Sequence, residues 1–456
     1  DQPRSRGLGD VYKRQVYEKS YETIMGNCDT HVFLGSNSFK TVEYFSKALG
    51  EKTIERDSVS INRDRQNWKT GKSVSDQVMA RALMTPDELR ICNVVDTLIR
   101  KNRSFALWRI PGESPRFAMQ ASGSARILYH IEELDEQSGF VIAPFHVSKQ
   151  HPIVLIRPDI QKLPPDEETK VSYLMPAEQE FHHSETLVSF LENPKEDYSR
   201  RFNAFIEPLR RKQFEKLVLS RCQTIPADRA NFSPAAAFHK AIRRYKYSYV
   251  YLCHTPATGT WLGCTPEIIL SGEKGKWHTV ALAGTQPLQN GELPIEWDDK
   301  NREEQEYVAF YIRKQLQALG IKPTETPPIP VRAGELSHLR SDFSFPLPDN
   351  KKLGELLKRL HPTPAVCGLP KEETYRFIRE NEGYDRSYYS GFIGWLAPEG
   401  KSDLYVNLRC MNILPGSFVL YAGGGILASS EIESEWLETE AKMQTMKRLI
   451  NSIDKS

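Results

Sequence analysis

The chain has 456 residues, 39% of them hydrophobic, and its 61 lysines and arginines nearly balance 59 aspartates and glutamates. This length predicts one large domain or two smaller ones, and a net charge of +2 excludes a generally basic nucleic-acid-binding protein. No apolar run approaches the ~18 residues of a transmembrane helix, and the seven cysteines lack CxxC spacing, which favours reduced thiols over disulfides or zinc. We therefore expect a soluble, cytoplasmic monomer without a secretory signal, which binds neither membranes nor nucleic acid.

The first 91 residues differ in character from the rest. Residues 1–15 show no helical or strand periodicity and are predicted to be a sequence artefact without a fold. Residues 16–91 carry the segments CDTHVFLGS, KALGEKTI and MTPDELR. In these segments they resemble the C-terminal end of the motor domain of conjugative type IV secretion coupling proteins. The resemblance implies a chimeric or artefactual fusion, and we expect residues 1–91 to contribute nothing to catalysis.

A DNA-transfer function for this front piece is the alternative from a different class, without enzymatic activity. Thr70, Gly71, Lys72 and Ser73 look like half of a phosphate-binding loop, but its first glycine would have to stand at Gln66. Without that glycine the segment is predicted to be an ordinary polar loop. Since a basic face is missing as well, the DNA-transfer alternative lacks support.

From about residue 92 the chain alternates between runs of strands and helices. The predicted elements, in chain order, are a helix then a strand over 96–110, strands at 139–145 and 152–159, a polar linker at 162–183, a helix from 185 to about 212, strands at 216–225, 247–255, 260–264, 267–272 and 277–285, a helix at 301–319, strands at 404–414 and 417–424, and a helix at 431–453. Strands in runs, separated from helices, predict an α+β fold with antiparallel sheets.

Two of these helices carry carboxylates on their apolar stripes. The stripe of helix 301–319 runs through Val308, Ile312 and Leu316, and one turn earlier it reaches Glu304. The stripe of the last helix, traced back from Met446, reaches Lys442, Glu438 and Glu435. Buried carboxylates are costly unless they are paired or bound to a metal, and oxygen ligands suit Mg²⁺. On periodicity alone, stripes that end in solvent are the favoured explanation, because acidic residues favour first helical turns.

A series of motifs decides between these interpretations. They are FEKLVLSR (214–221), GCTPEIIL (263–270), ALAGTQP (281–287), KNREEQEYV (300–308), LHPTPAVCGLP (360–370), RSYYSGFIGW (386–395), NLRC (407–410), AGGGI (422–426) and ESEWLETEAK (433–442). In these motifs, and in their order, residues 92–456 resemble the chorismate-binding enzymes, which include isochorismate, salicylate, anthranilate and aminodeoxychorismate synthases. The resemblance implies helices packed outside antiparallel sheets, chorismate as substrate, and Mg²⁺ held by Glu304, Glu435 and Glu438.

Three single positions distinguish between the members of the chorismate-binding enzymes. Lys216 resembles the general base of the members that add water, although an exposed charge at a strand start is the alternative. Ala283 stands where aminodeoxychorismate synthases carry a nucleophilic lysine. His361, in LHPTPAV, resembles isochorismate synthases, whereas salicylate synthases carry a Phe-Pro-Ser-like segment; a histidine that only fixes the loop is the alternative.

These likenesses imply an isochorismate synthase, an isomerase of menaquinone or siderophore biosynthesis, with salicylate synthase as the alternative. It would add water at C2 of chorismate and expel the C4 hydroxyl, with Lys216 as base and Glu267 as acid, unless Glu267 is only a surface charge. Substrate binding is expected from a larger set, namely Gly284, Thr285, His361, Tyr389, Arg409, Gly423, Gly424, Gly425 and Lys442.

Overall fold

The computed structural model describes residues 91–162, 193–227, 232–333, 336–347, 349 and 352–450, the backbone of 51–62, 71–82 and 86–90, and residues 43, 46 and 47. Predictions for residues 1–15, for the linker beyond 162, for the start of the helix predicted at 185 and for residues 451–453 lie outside these ranges. The chain divides into two compact units, Asp1–Val95 with Pro165–Glu168, and Asp96–Pro164 with Thr169–Ser456.

The first unit contains an antiparallel pair of strands, β1 (Glu51–Asn62) and β2 (Gly71–Ala82). The prediction of a polar loop at Gly71, Lys72 and Ser73 is wrong, because these residues begin β2 and lie opposite residues 60–62 of β1. Helix α1 (Pro86–Arg100) follows.

The remaining elements belong to the second unit. Its strands are β3 (Phe105–Arg109), β4 (Arg116–Met119), β5 (Arg126–Leu128), β6 (Gly139–Ala143), β7 (Ile153–Ile156), β8 (Lys216–Pro226), β9 (Tyr249–Thr255), β10 (Gly259–Thr265), β11 (Ile268–Glu273), β12 (Lys276–Pro287), β13 (Thr324–Glu325), β14 (Ile329–Ala333), β15 (Leu336–Pro346), β16 (Gly368–Leu369), β17 (Phe392–Leu396), β18 (Ser402–Val406), β19 (Cys410–Leu414) and β20 (Ser417–Ile426). Its helices are α2 (Pro194–Arg210), α3 (Pro234–Arg244), α4 (Asp299–Ala318), α5 (Leu353–Leu360), α6 (Lys371–Asn381) and α7 (Ile432–Ile450), with a 3₁₀ turn at Ile131–Leu134.

Local signals explain where the main helices begin and end. The side chains of Asn193, Ser233 and Asp298 each accept a hydrogen bond from a main-chain N–H of the first turn of α2, α3 and α4. Proline occupies the first position of α2 and α3, where its missing N–H costs nothing. Beyond the last turn of α4, Gly320 adopts a φ of +72°, as the sequence predicts for a C-terminal stop.

Every strand pair in the two sheets is antiparallel, which confirms the predicted α+β class. The eight-stranded sheet has the order β16-β8-β20-β19-β10-β9-β3-β4. The ten-stranded sheet has the order β13-β15-β12-β11-β18-β17-β6-β7-β5, with β14 beside β15.

The sheets share one core, and helices cover their outer faces. Trp108 and Tyr251 of the eight-stranded sheet pack in one buried cluster with Phe140 and Tyr405 of the ten-stranded sheet. Helices α4 and α5 pack against the other face of the ten-stranded sheet, and α2, α6 and α7 against that of the eight-stranded sheet. The predicted outer position of the helices is confirmed. Among the described helices, none is long and apolar enough to cross a bilayer.

The strand predicted at 404–414 is wrong, because it is two strands in different sheets. Residues 407–409 interrupt it, and Arg409 adopts a φ of +48°, a left-handed conformation that ends strand geometry. Strand β18 before the break belongs to the ten-stranded sheet and β19 after it to the eight-stranded sheet.

A second segment crosses between the sheets beside this one. Pro266 and Glu267 join β10 of the eight-stranded sheet to β11 of the ten-stranded sheet. The two crossings are bonded to each other: the Thr265 hydroxyl donates to the Val406 carbonyl at 2.6 Å, and the Val406 N–H donates to the Glu267 carbonyl at 2.9 Å. We call this bonded pair of crossings the seam.

Candidate active site

Lys216 is the first residue of β8, and its side chain is 0% exposed. Its Nζ lies 3.0 Å from Glu304 Oε1 at the second turn of α4. The alternative of an exposed charge at a strand start is therefore wrong. An ammonium group removed from water needs such a carboxylate partner.

Glu267 is buried at the seam, so the surface-charge alternative is also wrong. Burial raises the pKa of Glu267 to about 8, although the charges of Lys216 and Lys442 and a hydrogen bond from the Thr363 hydroxyl act in the opposite direction. That hydroxyl lies 3.4 Å from Glu267 Oε1. Glu267 is thus protonated at neutral pH and can donate a proton.

Each of the three carboxylates predicted to bind metal is paired with a lysine. Glu304 pairs with Lys216 as above, Lys300 Nζ donates to Glu435 Oε1 at 2.7 Å, and Lys442 Nζ donates to Glu438 Oε1 at 2.6 Å. In the described part of the chain, no three His, Cys, Asp or Glu side chains are grouped as a ready-made metal site.

The donor set nevertheless fits a hard cation. Glu435 Oε2 is buried and has no hydrogen-bond partner among the described residues, which leaves a carboxylate oxygen available as a ligand. Burial and the nearby charge of Glu438 raise the pKa of Glu435 above its usual range. Burial also disfavours the charge of Glu438, but Lys442 and Lys300 outweigh it and hold the pKa of Glu438 below its usual range.

The glycines of β20 make room for these groups. A methyl group on Gly425 would collide with Glu304 Oε1 and would lie 2.8 Å from Lys216 Cε. A methyl group on Gly424 would lie 3.1 Å from Glu435 Oε2. The side chains can therefore approach the main chain here only because residues 423–425 of β20 are glycines.

Arg409 is buried at the seam and is held by a histidine that sequence reasoning missed. Its Nη2 donates to His338 Nε2 at 3.0 Å, and His338 Nδ1 donates to the Gly284 carbonyl at 2.8 Å. Burial and the nearby Arg409 and Lys442 lower the pKa of His338 to about 3. The imidazole is therefore neutral, and its two hydrogen bonds fix both the guanidinium and the glycine loop.

Thr285 joins this loop to the two helices that carry the acidic groups. Its N–H donates to Asn301 Oδ1 at 2.8 Å, and its side chain forms a hydrogen bond with Glu438. Gly284 beside it has a φ of +71°, and a methyl group there would lie 2.8 Å from the Asn301 carbonyl oxygen. Asn301 lies one turn before Glu304 and couples the loop to α4.

Tyr389 and Lys442 lie next to the glycines of β20, as predicted. The Tyr389 hydroxyl would be 3.0 Å from a methyl group on Gly423, and its ring is stacked on Tyr421 with centroids 5.4 Å apart. Lys442 Nζ donates to the Gly423 carbonyl at 2.8 Å.

His361 has the surroundings of the loop-fixing alternative. Its ring packs edge-on against Phe392, with centroids 5.2 Å apart, and forms hydrogen bonds with the main chain of Phe145 and Pro144. Burial and the charge of Lys371 lower the pKa of His361 to about 3, so the ring is neutral. Its contact with substrate stays a prediction.

Several site residues escaped the sequence analysis, namely Lys300, Asn301, His338 and Thr363. The first two lie in the motif KNREEQEYV, where their neighbour Glu304 was a usable signal. His338 lies in β15, where a single histidine in a strand carries no distinctive spacing. Its partners lie 54 and 71 residues away in the chain.

Comparison with known proteins agrees with this site. The family described as "Chorismate binding enzyme" matches residues 134–451. The family described as "TraM recognition site of TraD and TraG" matches residues 13–93, which confirms the resemblance stated for the front piece.

Two curated relatives are both named as isochorismate synthases. The salicylate biosynthesis isochorismate synthase of Pseudomonas aeruginosa is 30% identical over 258 residues, which cover 54% of this chain and 53% of the relative. Isochorismate synthase EntC of Escherichia coli is 29% identical over 244 residues, 51% of this chain and 62% of the relative. The chain thus spans between about half and two thirds of the length of these relatives.

A solved structure shares the fold. The 2,3-dihydroxybenzoate-specific isochorismate synthase DhbC from Bacillus anthracis aligns with a TM-score of 0.62 and 23% identity, over 78% of this chain and 99% of that chain. The family match covers more than half of the sequence and includes all the residues assembled around β20. The chain belongs to the chorismate-binding enzyme family.

Proposed function

We propose that the protein converts chorismate into isochorismate with the help of Mg²⁺. The observation that carries the proposal is the burial of two groups suited to opposite roles, the carboxylic acid of Glu267 and the lysine side chain of Lys216. The two relatives named above support it, because both are isochorismate synthases by name.

The reaction adds water at C2, shifts both ring double bonds and expels the C4 hydroxyl. Hydroxide is a poor leaving group, so Glu267 gives its proton to the departing oxygen. Lys216 removes a proton from the incoming water. Lys216 begins β8, whereas Glu267 lies between β10 and β11, so the base and the acid come from separate parts of the fold.

The acidic residues would hold the cation, and neighbouring groups would hold the substrate. Glu304, Glu435 and Glu438 would bind Mg²⁺, which supplies positive charge to the ring carboxylate. Arg409 is suited to the enolpyruvyl carboxylate, since a guanidinium can donate two parallel hydrogen bonds. The expected contacts to the rest of the substrate come from Gly284, Thr285, Tyr389, Lys442 and the main-chain N–H groups of glycines 423–425.

Ala283 separates this proposal from an aminating reaction. The residue lies in β12 directly before Gly284 and is 7% exposed. A methyl side chain cannot form the covalent amine adduct that a lysine would form there.

One incubation tests the proposal. Purified protein, chorismate and Mg²⁺ are combined, and isochorismate, salicylate and pyruvate are resolved by chromatography. We expect isochorismate without stoichiometric pyruvate. Stoichiometric pyruvate with salicylate would assign a salicylate synthase instead, and a requirement for ammonia would assign an aminating member.

A further inference from the structure

Lys300 lies among all three carboxylates of the candidate metal site. It is the second residue of α4, one turn before Glu304, and its Nζ donates to Glu435 Oε1 at 2.7 Å. The negative charges of Glu304, Glu435 and Glu438 all act on its ammonium group. The ammonium group therefore stands in the negative potential that would attract a divalent cation.

Lys300 differs from the other two lysines of the site in exposure. Its side chain is 23% exposed, against 0% for Lys216 and 15% for Lys442. Lys442 is also tied to the Gly423 carbonyl. A lysine has a flexible four-carbon stem and a strongly hydrated head, so an ammonium group near solvent can leave its partner at low cost.

We infer that Lys300 is an internal competitor of the divalent cation, whose ammonium group neutralises the carboxylates until the cation binds and then moves toward solvent. This inference rests on the proposed function, since it takes the Glu304, Glu435 and Glu438 set as the Mg²⁺ site. Like charges at one set of ligands repel, so the two cations cannot both stay close to Glu435.

Competition of this kind lowers the apparent affinity for the cation. The metal binds only the fraction of molecules in which the ammonium group has moved away, so the apparent dissociation constant equals the intrinsic one divided by that fraction. When no metal is bound, the ammonium group of Lys300 keeps the buried carboxylates paired, which limits the free-energy cost of burying their charge.

The test is calorimetric titration of Mg²⁺ into the full-length protein and two lysine variants. Lys300→Met keeps an unbranched stem but removes the charge, and we expect Mg²⁺ to bind at least about tenfold more tightly than to the wild type. Lys195→Met is the matched control, because Lys195 pairs with the exposed Glu433 of the same helix α7 at 2.8 Å. It removes the same charge near α7 without touching the three carboxylates, and its Mg²⁺ affinity should stay within about twofold of the wild type.

Lys300→Arg keeps the charge and should bind Mg²⁺ no more tightly than the wild type. It decides the question if the methionine variant does not fold, because a gain in affinity with the charge retained would overturn the inference. The inference would also be overturned if Lys300→Met bound Mg²⁺ no more tightly than Lys195→Met. This includes the case in which neither variant binds Mg²⁺. The titration does not depend on turnover. If the wild type binds Mg²⁺ but forms no isochorismate, the proposed function fails, whereas the titration still decides the role of Lys300.

Discussion

Arg386 and Glu382 form an ion pair in which both side chains are almost fully buried. Arg386 Nε donates to Glu382 Oε2 at 2.5 Å, and the guanidinium also donates to the carbonyls of Val366 and Val218 at 2.7 and 2.9 Å. Val218 belongs to β8, the strand of Lys216, and residue 366 ends the loop that carries Thr363. The pair therefore connects the strand of the proposed base with the loop beside the proposed acid.

Removing one member of this pair should destabilise the protein strongly. Arg386→Met leaves the Glu382 carboxylate buried without its partner, which costs about 3–5 kcal/mol of unfolding free energy. Urea denaturation followed by circular dichroism measures the loss. Arg200→Met removes an arginine that pairs with Asp197 but is 80% exposed, so its loss should stay below about 1 kcal/mol. Equal losses of unfolding free energy in the two variants would show that burial does not set the contribution of the Arg386–Glu382 pair.

Replacing either proton-transfer group should lower turnover, which is measured on the folded fraction of each variant. Lys216→Ala and Glu267→Gln are each expected to lower kcat by roughly 10²–10⁴-fold, the usual contribution of a general acid or base. Glu273→Gln, at the exposed end of strand β11, which begins directly after Glu267, is the control and should leave kcat unchanged. A Lys216→Ala variant with near-wild-type kcat would show that another group activates the water.

The pH dependence of turnover should have an alkaline limb set by Glu267. Because its pKa is raised to about 8, the acid is protonated below that pH and loses its proton as the pH rises through it. We therefore expect kcat to fall above about pH 8, with protein that stays folded over the measured range. A pH–rate profile of the wild type and of Glu267→Gln checks this, since the residual activity of the variant should lack that limb. A limb that persists unchanged in the variant would belong to another group.

Adding a methyl group to β20 should damage the site sterically. Gly425→Ala would push against Glu304 Oε1 and Lys216 Cε, and a displacement of about 1 Å at a catalytic group can cost ~10²-fold in rate. Gly400→Ala is the control, because its added methyl would have only an ordinary 3.5 Å contact with Ala397 Cβ. Similar kcat values for the two variants would mean that the site tolerates movement of both side chains.

The front piece should be dispensable for catalysis. All the residues assembled at the site belong to the second unit, so a chain that begins at Pro86, where α1 starts, should keep the specific activity of the whole protein. Activity assays and thermal melting of the two forms make the comparison. A clear loss of activity or of melting temperature in the shortened chain would show that residues 1–85 support the enzyme.

Much of the fold could be predicted because its signals are local. Buried strands such as β8 and β9 are short apolar runs, and α4 shows helical periodicity with a capping aspartate and a terminal glycine. The break between β18 and β19 was missed because LYVNLRCMNIL has strand composition throughout, and a change of sheet depends on partners distant in the chain. The acidic stripes of α4 and α7 were visible, but periodicity could not distinguish burial from exposure, so the family resemblance decided.

The partly exposed members of the site were harder to predict. A lysine at the start of a helix, such as Lys300, has the pattern of an ordinary solvated charge, and only the fold brings three carboxylates to it. Lys216 and Lys442 were among the predicted site residues, but their ion pairs with Glu304 and Glu438 were not predicted. Pairwise charge balance is a property of the folded structure, because it joins side chains from β8, α4 and α7.

The seam contains both the connections between the two sheets and two residues of the proposed active site. Glu267 lies on one crossing and Arg409 on the other, and the Cys264 N–H also donates to the Arg409 carbonyl at 3.0 Å. A local opening that breaks these hydrogen bonds therefore displaces the acid and the guanidinium together. Partly opened molecules should retain no residual turnover, and the amide hydrogens of Val406 and Cys264 should exchange with solvent only in the rare openings that also abolish activity.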